Sequence, residues 1–491
     1  MTHYRIQTLQ PSNGFVQIHM QFRATTDVVY LQLPAWRPGR YELANYARNI
    51  KNFNIKSETG EAIPFSKINK EKWAVSITPH TNVLVSYEYY AQQPDAGNSF
   101  VSEQLCYINP VNCLLYVEGM EQLPCQVELP LTPTAKVACQ LNLNGNKLLA
   151  KHFDELADSP FFIAENLQHH TIQHGTCLFH FWAAGPVELD WNQLKSDTIR
   201  YATIQEAIFG VLPMTDFHFL YLFREDVFRH GVEHASSTVI AMGPGKSMCE
   251  TIAYNDLLAI SSHELFHVWN IKRMRPVEML PYDFTKENYS KLGYVYEGIT
   301  TYYGDLALVQ AGVWNLATYF KSLSDDFKKH LNNQGRFNYS LEDSSFDTWV
   351  DGYVPGVPGR KISIYTEGLV AALVADLFIL SQTKGAYRLD QVLSEMYQLT
   401  YVQQKGYTKA LYQQLLEKWS GQSMQWYFNQ LIEGKGKLTD ALIEALSWIG
   451  CELETHFNDL GLIDCQLKIK DNRSTEQELL FKKWLNLTAS A

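Results

Sequence analysis

The chain opens with alternation. Val16, Ile18, Met20 and Phe22 alternate with Gln17, His19, Gln21 and Arg23, and Val83, Val85, Tyr87 and Tyr89 repeat the pattern. A period of two buries one face and wets the other, which predicts strands. Pro11-Ser12-Asn13-Gly14 and Pro94-Asp95-Ala96-Gly97 punctuate these runs as turns. An antiparallel, sandwich-like β domain is expected from the start to about residue 185. From Trp191 onward the texture changes: residues 196–209 read as a helix, 217–223 and 237–242 as strands, and helices dominate to about residue 445. Residues 446–491 form a short, weakly patterned tail. The prediction is a multidomain α+β protein divided at 1–185, 186–445 and 446–491.

Within the helical part, Asn255 or Asp256 can cap a helix running through His267, and Pro276 prevents much continuation. A second helix is expected over 296–310, stopping at Gly312. Residues 332–358 are rich in loop signals. The apolar run 368–381, interrupted by Asp376, is too short to span a membrane and predicts a buried helix.

Composition narrows the function. A chain of 491 residues exceeds one ordinary core, and 46% hydrophobic with 19% charged residues is an ordinary soluble balance. The net charge of -11 argues against nucleic acid as a partner, because phosphate binding needs a basic patch. Eight cysteines without a C-x-x-C pair read as reduced thiols. The start, MTHYRIQTLQ, carries no secretory pattern, so a cytoplasmic protein without a membrane partner is expected.

The chemistry concentrates in His263-Glu264-Leu265-Phe266-His267, an H-E-x-x-H motif. Two histidines at i and i+4 share one helix face, so both imidazoles can reach one metal ion. Glu264, next to the first ligand, can face the water that the metal activates and serve as general base. A catalytic zinc needs one more protein ligand. Glu297, set among apolar and aromatic neighbours in Tyr296-Glu297-Gly298-Ile299-Thr300-Thr301-Tyr302-Tyr303, is the best candidate, ahead of Glu278 and Glu287, which fall in connecting loop. One Zn2+ per chain on His263, His267 and Glu297 is expected. His169, His170, His174 and His180, near Cys177, fit no ligand spacing and read as surface strand histidines.

These residues resemble the glycyl aminopeptidase family of gluzincin metallopeptidases. The likeness extends through Val268-Trp269-Asn270-Ile271-Lys272-Arg273 and through the Glu297 segment. It includes Pro34-Ala35-Trp36-Arg37-Pro38-Gly39-Arg40-Tyr41, Tyr46-Ala47-Arg48-Asn49-Ile50 and Asp154-Glu155-Leu156-Ala157-Asp158-Ser159-Pro160. The resemblance implies a thermolysin-like catalytic domain with a helical lobe after the β domain. It also implies release of small N-terminal residues, glycine and alanine especially.

Two further roles come with the resemblance. Gly231-Val232-Glu233-His234 resembles the exopeptidase motif, so Glu233 would hold the substrate's α-ammonium; Arg229-His230 precede it where relatives commonly carry glycine. Tyr365-Thr366-Glu367-Gly368 resembles the segment whose tyrosine stabilises the transition state, with Glu367 where relatives often carry lysine. Many relatives end in a PDZ domain. About 45 residues follow the helical lobe here, too few for one, so none is expected.

The expected function is therefore a zinc aminopeptidase acting on peptides with a free N-terminus. An endopeptidase on the same scaffold is the first alternative, and a non-catalytic peptide-binding protein is the second. Neither the oligomeric state nor the physiological peptide is legible at this level.

Overall fold

The structure is a computed structural model, and it describes residues 1–354 and 356–487. The chain forms two compact units. The first comprises Met1–Leu189, Met214–Ala253 and Asp283–Glu287; the second comprises Asp190–Pro213, Tyr254–Tyr282 and the residues from Asn288 onward.

The first unit is built of sheets. In the strand Phe15–Arg23, Val16, Ile18 and Met20 are completely buried, and the strand pairs along its length with Asn82–Tyr90, from Phe15↔Tyr90 to Arg23↔Asn82. Both belong to a seven-stranded sheet that is antiparallel except where Thr2–Gln7 runs alongside Cys125–Glu128. Two four-stranded antiparallel sheets accompany it. The turn at Asp95 forms as its residue types require: the Asp95 carboxylate accepts from the Gly97 and Asn98 amides at 2.8 and 2.9 Å. The short piece 283–287 belongs here because Ala35 N donates to Phe284 O at 2.8 Å and Trp36 Nε1 to Asp283 O at 2.7 Å.

A five-stranded mixed sheet completes this unit. Its spatial order is Gln168–His174, Cys177–Ala184, Asp216–Phe223, Ser237–Gly243 and Phe228–Glu233. The central junctions are parallel and the outer ones antiparallel. Of the four strand histidines, His169 and His180 pack on neighbouring rings. His169 stacks on Trp182 at 3.6 Å and His180 on His218 at 4.3 Å. Edge contacts tie each layer: His169 Nε2 to His180 Nδ1 at 3.0 Å, and Trp182 Nε1 donating to His218 Nδ1 at 3.2 Å. Burial and then the neighbouring His180 lower the His218 pKa to about 3, so it accepts as a neutral ring. Among the described residues no three metal-ligating donors converge in this sheet.

The second unit is mostly helical. Asp190 caps the helix Trp191–Phe209 by accepting from the Asn192 and Gln193 amides, and Gly210 ends it in the left-handed region (φ 78°). The apolar run forms the helix Thr366–Gln382, buried on nearly every side. The charge that interrupts the run, Asp376, is fully buried and satisfied: it accepts from Arg388 Nη2 at 2.7 Å, Tyr302 Oη at 2.6 Å and the Leu389 amide at 2.9 Å. The last part of the chain also folds into this unit. The hairpin Cys451–Phe457 and Ile463–Ile469 docks on the helix Leu316–Asn332, where Leu467 N donates to Ser324 Oγ at 3.0 Å. The helix Thr475–Trp484 ends on Trp484, whose Nε1 donates to Tyr302 Oη at 2.8 Å. Among the described residues no helix is long and apolar enough to cross a membrane.

Removing Asp376 takes the carboxylate from the largely buried Arg388 guanidinium, whose Nη1 keeps only its bond to Trp484 O. Asp376→Ala is expected to destabilise the protein by about 3–5 kcal/mol, read as a lowered midpoint in denaturant unfolding. An unchanged midpoint would show that this ion pair contributes nothing to the helical core.

Candidate metal centre

The helix that carries the H-E-x-x-H motif spans Thr251–Phe266. It starts before the Asn255 or Asp256 cap expected from the sequence, and it ends one residue short of His267. The i, i+4 geometry persists, because His267 N still donates to His263 O at 3.3 Å. The two Nε2 atoms lie 3.0 Å apart with the rings at 84°. Two zinc–nitrogen bonds at a tetrahedral angle require about 3.3 Å between the nitrogens.

Glu297 meets these histidines from a second element. It lies in a π-helical turn, Tyr294–Gly298, that runs into the helix Ile299–Gln310. Such turns are frequent at functional sites because they re-aim one side chain. Glu297 Oε2 is 3.4 Å from His267 Nε2, and ligand atoms of His263, His267 and Glu297 all lie within 4.8 Å of one another. His267 and Glu297 are each 2% exposed. Nitrogen lone pairs and a carboxylate oxygen buried face to face repel, and a cation among them removes that repulsion. Two imidazoles and a carboxylate are the donor set that zinc takes in peptidases. The residues present therefore fit zinc. Among the described residues, neither Glu278 nor Glu287 joins a metal-competent group.

The residues around these three hold them in place. His267 Nδ1 donates to the Asn270 carbonyl oxygen at 2.7 Å, which leaves Nε2 unprotonated toward the site. The Asn270 side chain then bonds the opposite element: Nδ2 donates to Val295 O at 2.8 Å and to Thr300 Oγ1 at 3.1 Å. Asn270 thus links the segment after one ligand to the turn bearing another. Beneath His263, Ser262 Oγ donates to Gly304 O at 2.7 Å, and Gln205 Nε2 donates to Ser262 O and Oγ, both at 2.9 Å.

Tyr365 stands at the first position before the helix Thr366–Gln382. That helix meets the Glu297 turn backbone to backbone. A Cβ on Gly298 would fall 2.3 Å from Gly368 Cα, so only glycines permit this approach. Glu297 and Tyr365 are therefore each three residues or fewer from one contact point. Glu367, where relatives often carry lysine, is buried, and His330 Nδ1 donates to its Oε2 at 2.5 Å. The other His330 nitrogen contacts Thr439 Oγ1 at 2.8 Å. The carboxyl at 367 thus has its own partner on another helix. Glu264 lies on the motif helix and is 5% exposed.

Glu233 lies in the first unit, as the last residue of the strand Phe228–Glu233, and is 4% exposed. Its Oε1 has no hydrogen-bond partner among the described residues. His230, which stands where relatives commonly carry glycine, faces Arg37 Nη2 at 3.4 Å and Asp95 Oδ1 at 3.8 Å. Burial and then the Arg37 charge lower its pKa to about 4, so the ring accepts from the guanidinium in neutral form. Sequence reasoning missed Asn270, Ser262, Gln205 and His330. Only Asn270 left a signal, as a polar residue in an otherwise apolar run just after the motif.

Fold and motif together define a zinc metallopeptidase. Residues 3–165 match the Peptidase M61 N-terminal domain, and residues 256–371 match the M61 glycyl aminopeptidase domain. The matches cover more than half of the chain, and the chain belongs to the M61 glycyl aminopeptidase family. It is thus a zinc metallopeptidase of the aminopeptidase class. Among solved structures it is similar to an aminopeptidase N family protein from Idiomarina loihiensis (25% identity, 93% of this chain and 80% of that one covered, TM-score 0.86). It shares its fold with the M1 zinc metallopeptidase from Deinococcus radiodurans (13% identity, 87% of this chain and 92% of that one, TM-score 0.51). The same holds for a mutant of that enzyme bound to a Tyr-Ser-Ala substrate (14% identity, 90% and 92%, TM-score 0.52). None of the curated proteins matches the chain in sequence.

Asn270→Ala keeps the backbone acceptor for His267 but releases the Glu297 turn. Zinc affinity is expected to fall about 10- to 100-fold, measured by competition with a chromogenic chelator. Wild-type affinity would remove Asn270 from the support of the site.

Proposed function

We propose that this protein removes the N-terminal residue of peptides, with glycine or alanine preferred, using one zinc ion per chain held by His263, His267 and Glu297. The observation that carries the metal assignment is the convergence of two imidazole nitrogens and a carboxylate oxygen, with His267 and Glu297 buried and His263 partly exposed. The observation that favours an exopeptidase over an endopeptidase is Glu233. A buried carboxylate with an orphaned oxygen accepts a strong donor, and a peptide's α-ammonium is such a donor. The preference for small residues follows the family's description.

Zinc, when bound, supplies Lewis acidity to the scissile carbonyl and makes water acidic enough to attack near neutral pH. Glu264 takes the proton of the attacking water and returns it to the departing amine. Tyr365 donates its phenolic hydrogen to the carbonyl oxygen as negative charge develops there. Glu233 holds the α-ammonium, so the first peptide bond is the one presented. The Asn270 bridge and the Gly298–Gly368 contact keep the Glu297 turn and the Tyr365 helix in register.

Glu264→Gln is expected to lower kcat by about 10²- to 10⁴-fold while metal analysis still finds zinc. A turnover near wild type would refute the base assignment. Tyr365→Phe is expected to lower kcat by about 10²- to 10³-fold with little change in KM, and a pure KM effect would make it a binding residue instead.

One substrate pair tests the exopeptidase reading. The zinc-loaded protein should cleave a glycine-led peptide with a free N-terminus and leave its acetylated form intact. Equal cleavage of both would establish an endopeptidase. Stoichiometric zinc with no hydrolysis of glycine-, alanine- or larger-residue-led peptides would establish a binding protein.

A further inference from the structure

We propose that Gly39 and Asp158 are positioning residues for Glu233, so that two separate N-terminal motifs build the ammonium subsite. This rests on the reading of Glu233 as the ammonium acceptor.

The strand that ends in Glu233 is at the edge of its sheet, paired on one side only, with Ser237–Gly243. An edge strand's end has no second neighbour to fix it. Here the following turn is held by side chains instead. The two Asp158 carboxylate oxygens accept from His234 Nδ1 at 3.0 Å and from the Ala235 amide at 2.9 Å. Gln140 Oε1 accepts from the Ser236 amide at 2.9 Å and Ser237 Oγ at 3.0 Å. Gln140 Nε2 in turn donates to Asp158 O and Ser159 Oγ, both at 2.8 Å. Each residue from His234 to Ser237 is thus tied to a side chain far earlier in the chain. Through Asp158, the Asp154–Pro160 motif clamps the turn that begins beside Glu233.

The Trp36-Arg37-Pro38-Gly39 motif acts at the carboxylate itself. Gly39 has φ +78°, and a Cβ there would fall 2.5 Å from Glu233 Oε2 and 3.0 Å from its Cδ. The carboxylate therefore lies directly on the Gly39 backbone, where no other residue leaves room for it. Three residues back along the same strand, His230 receives Arg37, which is 3% exposed and also donates to Pro38 O at 3.2 Å. Oε1, buried and without a hydrogen-bond partner among the described residues, would itself be 3.0 Å from that Cβ, so both carboxylate oxygens rest against the Gly39 backbone. A carboxylate fixed in this way reads position, because a displacement of about 1 Å can cost 10²-fold in an oriented reaction.

The test is steady-state kinetics of the zinc-loaded protein on a glycine-led peptide with a free N-terminus. The variants are Gly39→Ala, Asp158→Asn, Glu233→Gln and the double change Gly39→Ala with Glu233→Gln. Gly39→Ala and Asp158→Asn are each expected to raise KM about tenfold or more, with a smaller effect on kcat, and with zinc content unchanged. On the Glu233→Gln background, Gly39→Ala is expected to add less than about twofold, because the group it positions no longer carries charge. A KM within about twofold of wild type in both single variants would overturn the proposal. So would an effect of Gly39→Ala equally large with and without the Glu233 charge. Glu233→Gln alone reports on the anchor reading: if it leaves KM unchanged, that reading fails first, and the failure is distinct from loss of coupling between Gly39 and Glu233.

Discussion

Burying an imidazole nitrogen and a carboxylate so that they face one another, with a second imidazole beside them, is costly without a cation between them. His267 and Glu297 are almost fully buried and approach to 3.4 Å. Mutual repulsion would push them apart if the elements carrying them could move. They are held together by bonds that do not involve the ligand atoms. Asn270 joins the two elements through the Val295 carbonyl and the Thr300 hydroxyl, and it also orients the His267 ring. The result is a preorganised cradle that fits a cation, held together partly by groups that do not face it.

The same rigidity reaches the residue proposed to face the developing oxyanion. Gly298 and Gly368 let two helices touch through their backbones, so Tyr365 is tied to the Glu297 turn by covalent geometry over a few residues. The neighbouring Glu367 adds a second tie, to His330 on the helix Leu316–Asn332. A buried carboxyl there is tolerated because its hydrogen-bond partner is buried with it.

The first unit shows a different solution to the same problem of precision. The carboxylate proposed to read the substrate, Glu233, ends an edge strand that lacks a second neighbouring strand, and turn and side-chain contacts from earlier motifs hold it. Motif residues that carry no reactive group thus gain a physical reason to be there. The stacked His169, Trp182, His180 and His218 rings serve the same sheet as packing, which explains why their spacing suits no metal.

The sequence alone determined what depends on local period and short spacing. Strands Phe15–Arg23 and Asn82–Tyr90 followed from alternation. The buried helix over Thr366–Gln382 followed from a long apolar run. The i, i+4 histidines followed from motif spacing and Glu297 from its apolar and aromatic neighbours, and the structure brings their donor atoms together. The start of the motif helix did not follow: it begins at Thr251, about one turn before Asn255 and Asp256. Only the tertiary structure decided the supports. Asn270 meets Thr300 across 30 residues, Glu367 meets His330 across 37, and Asp158 meets His234 across 76. Such contacts leave no period in the sequence, because their energy depends on where the fold delivers two distant side chains rather than on what lies beside either of them.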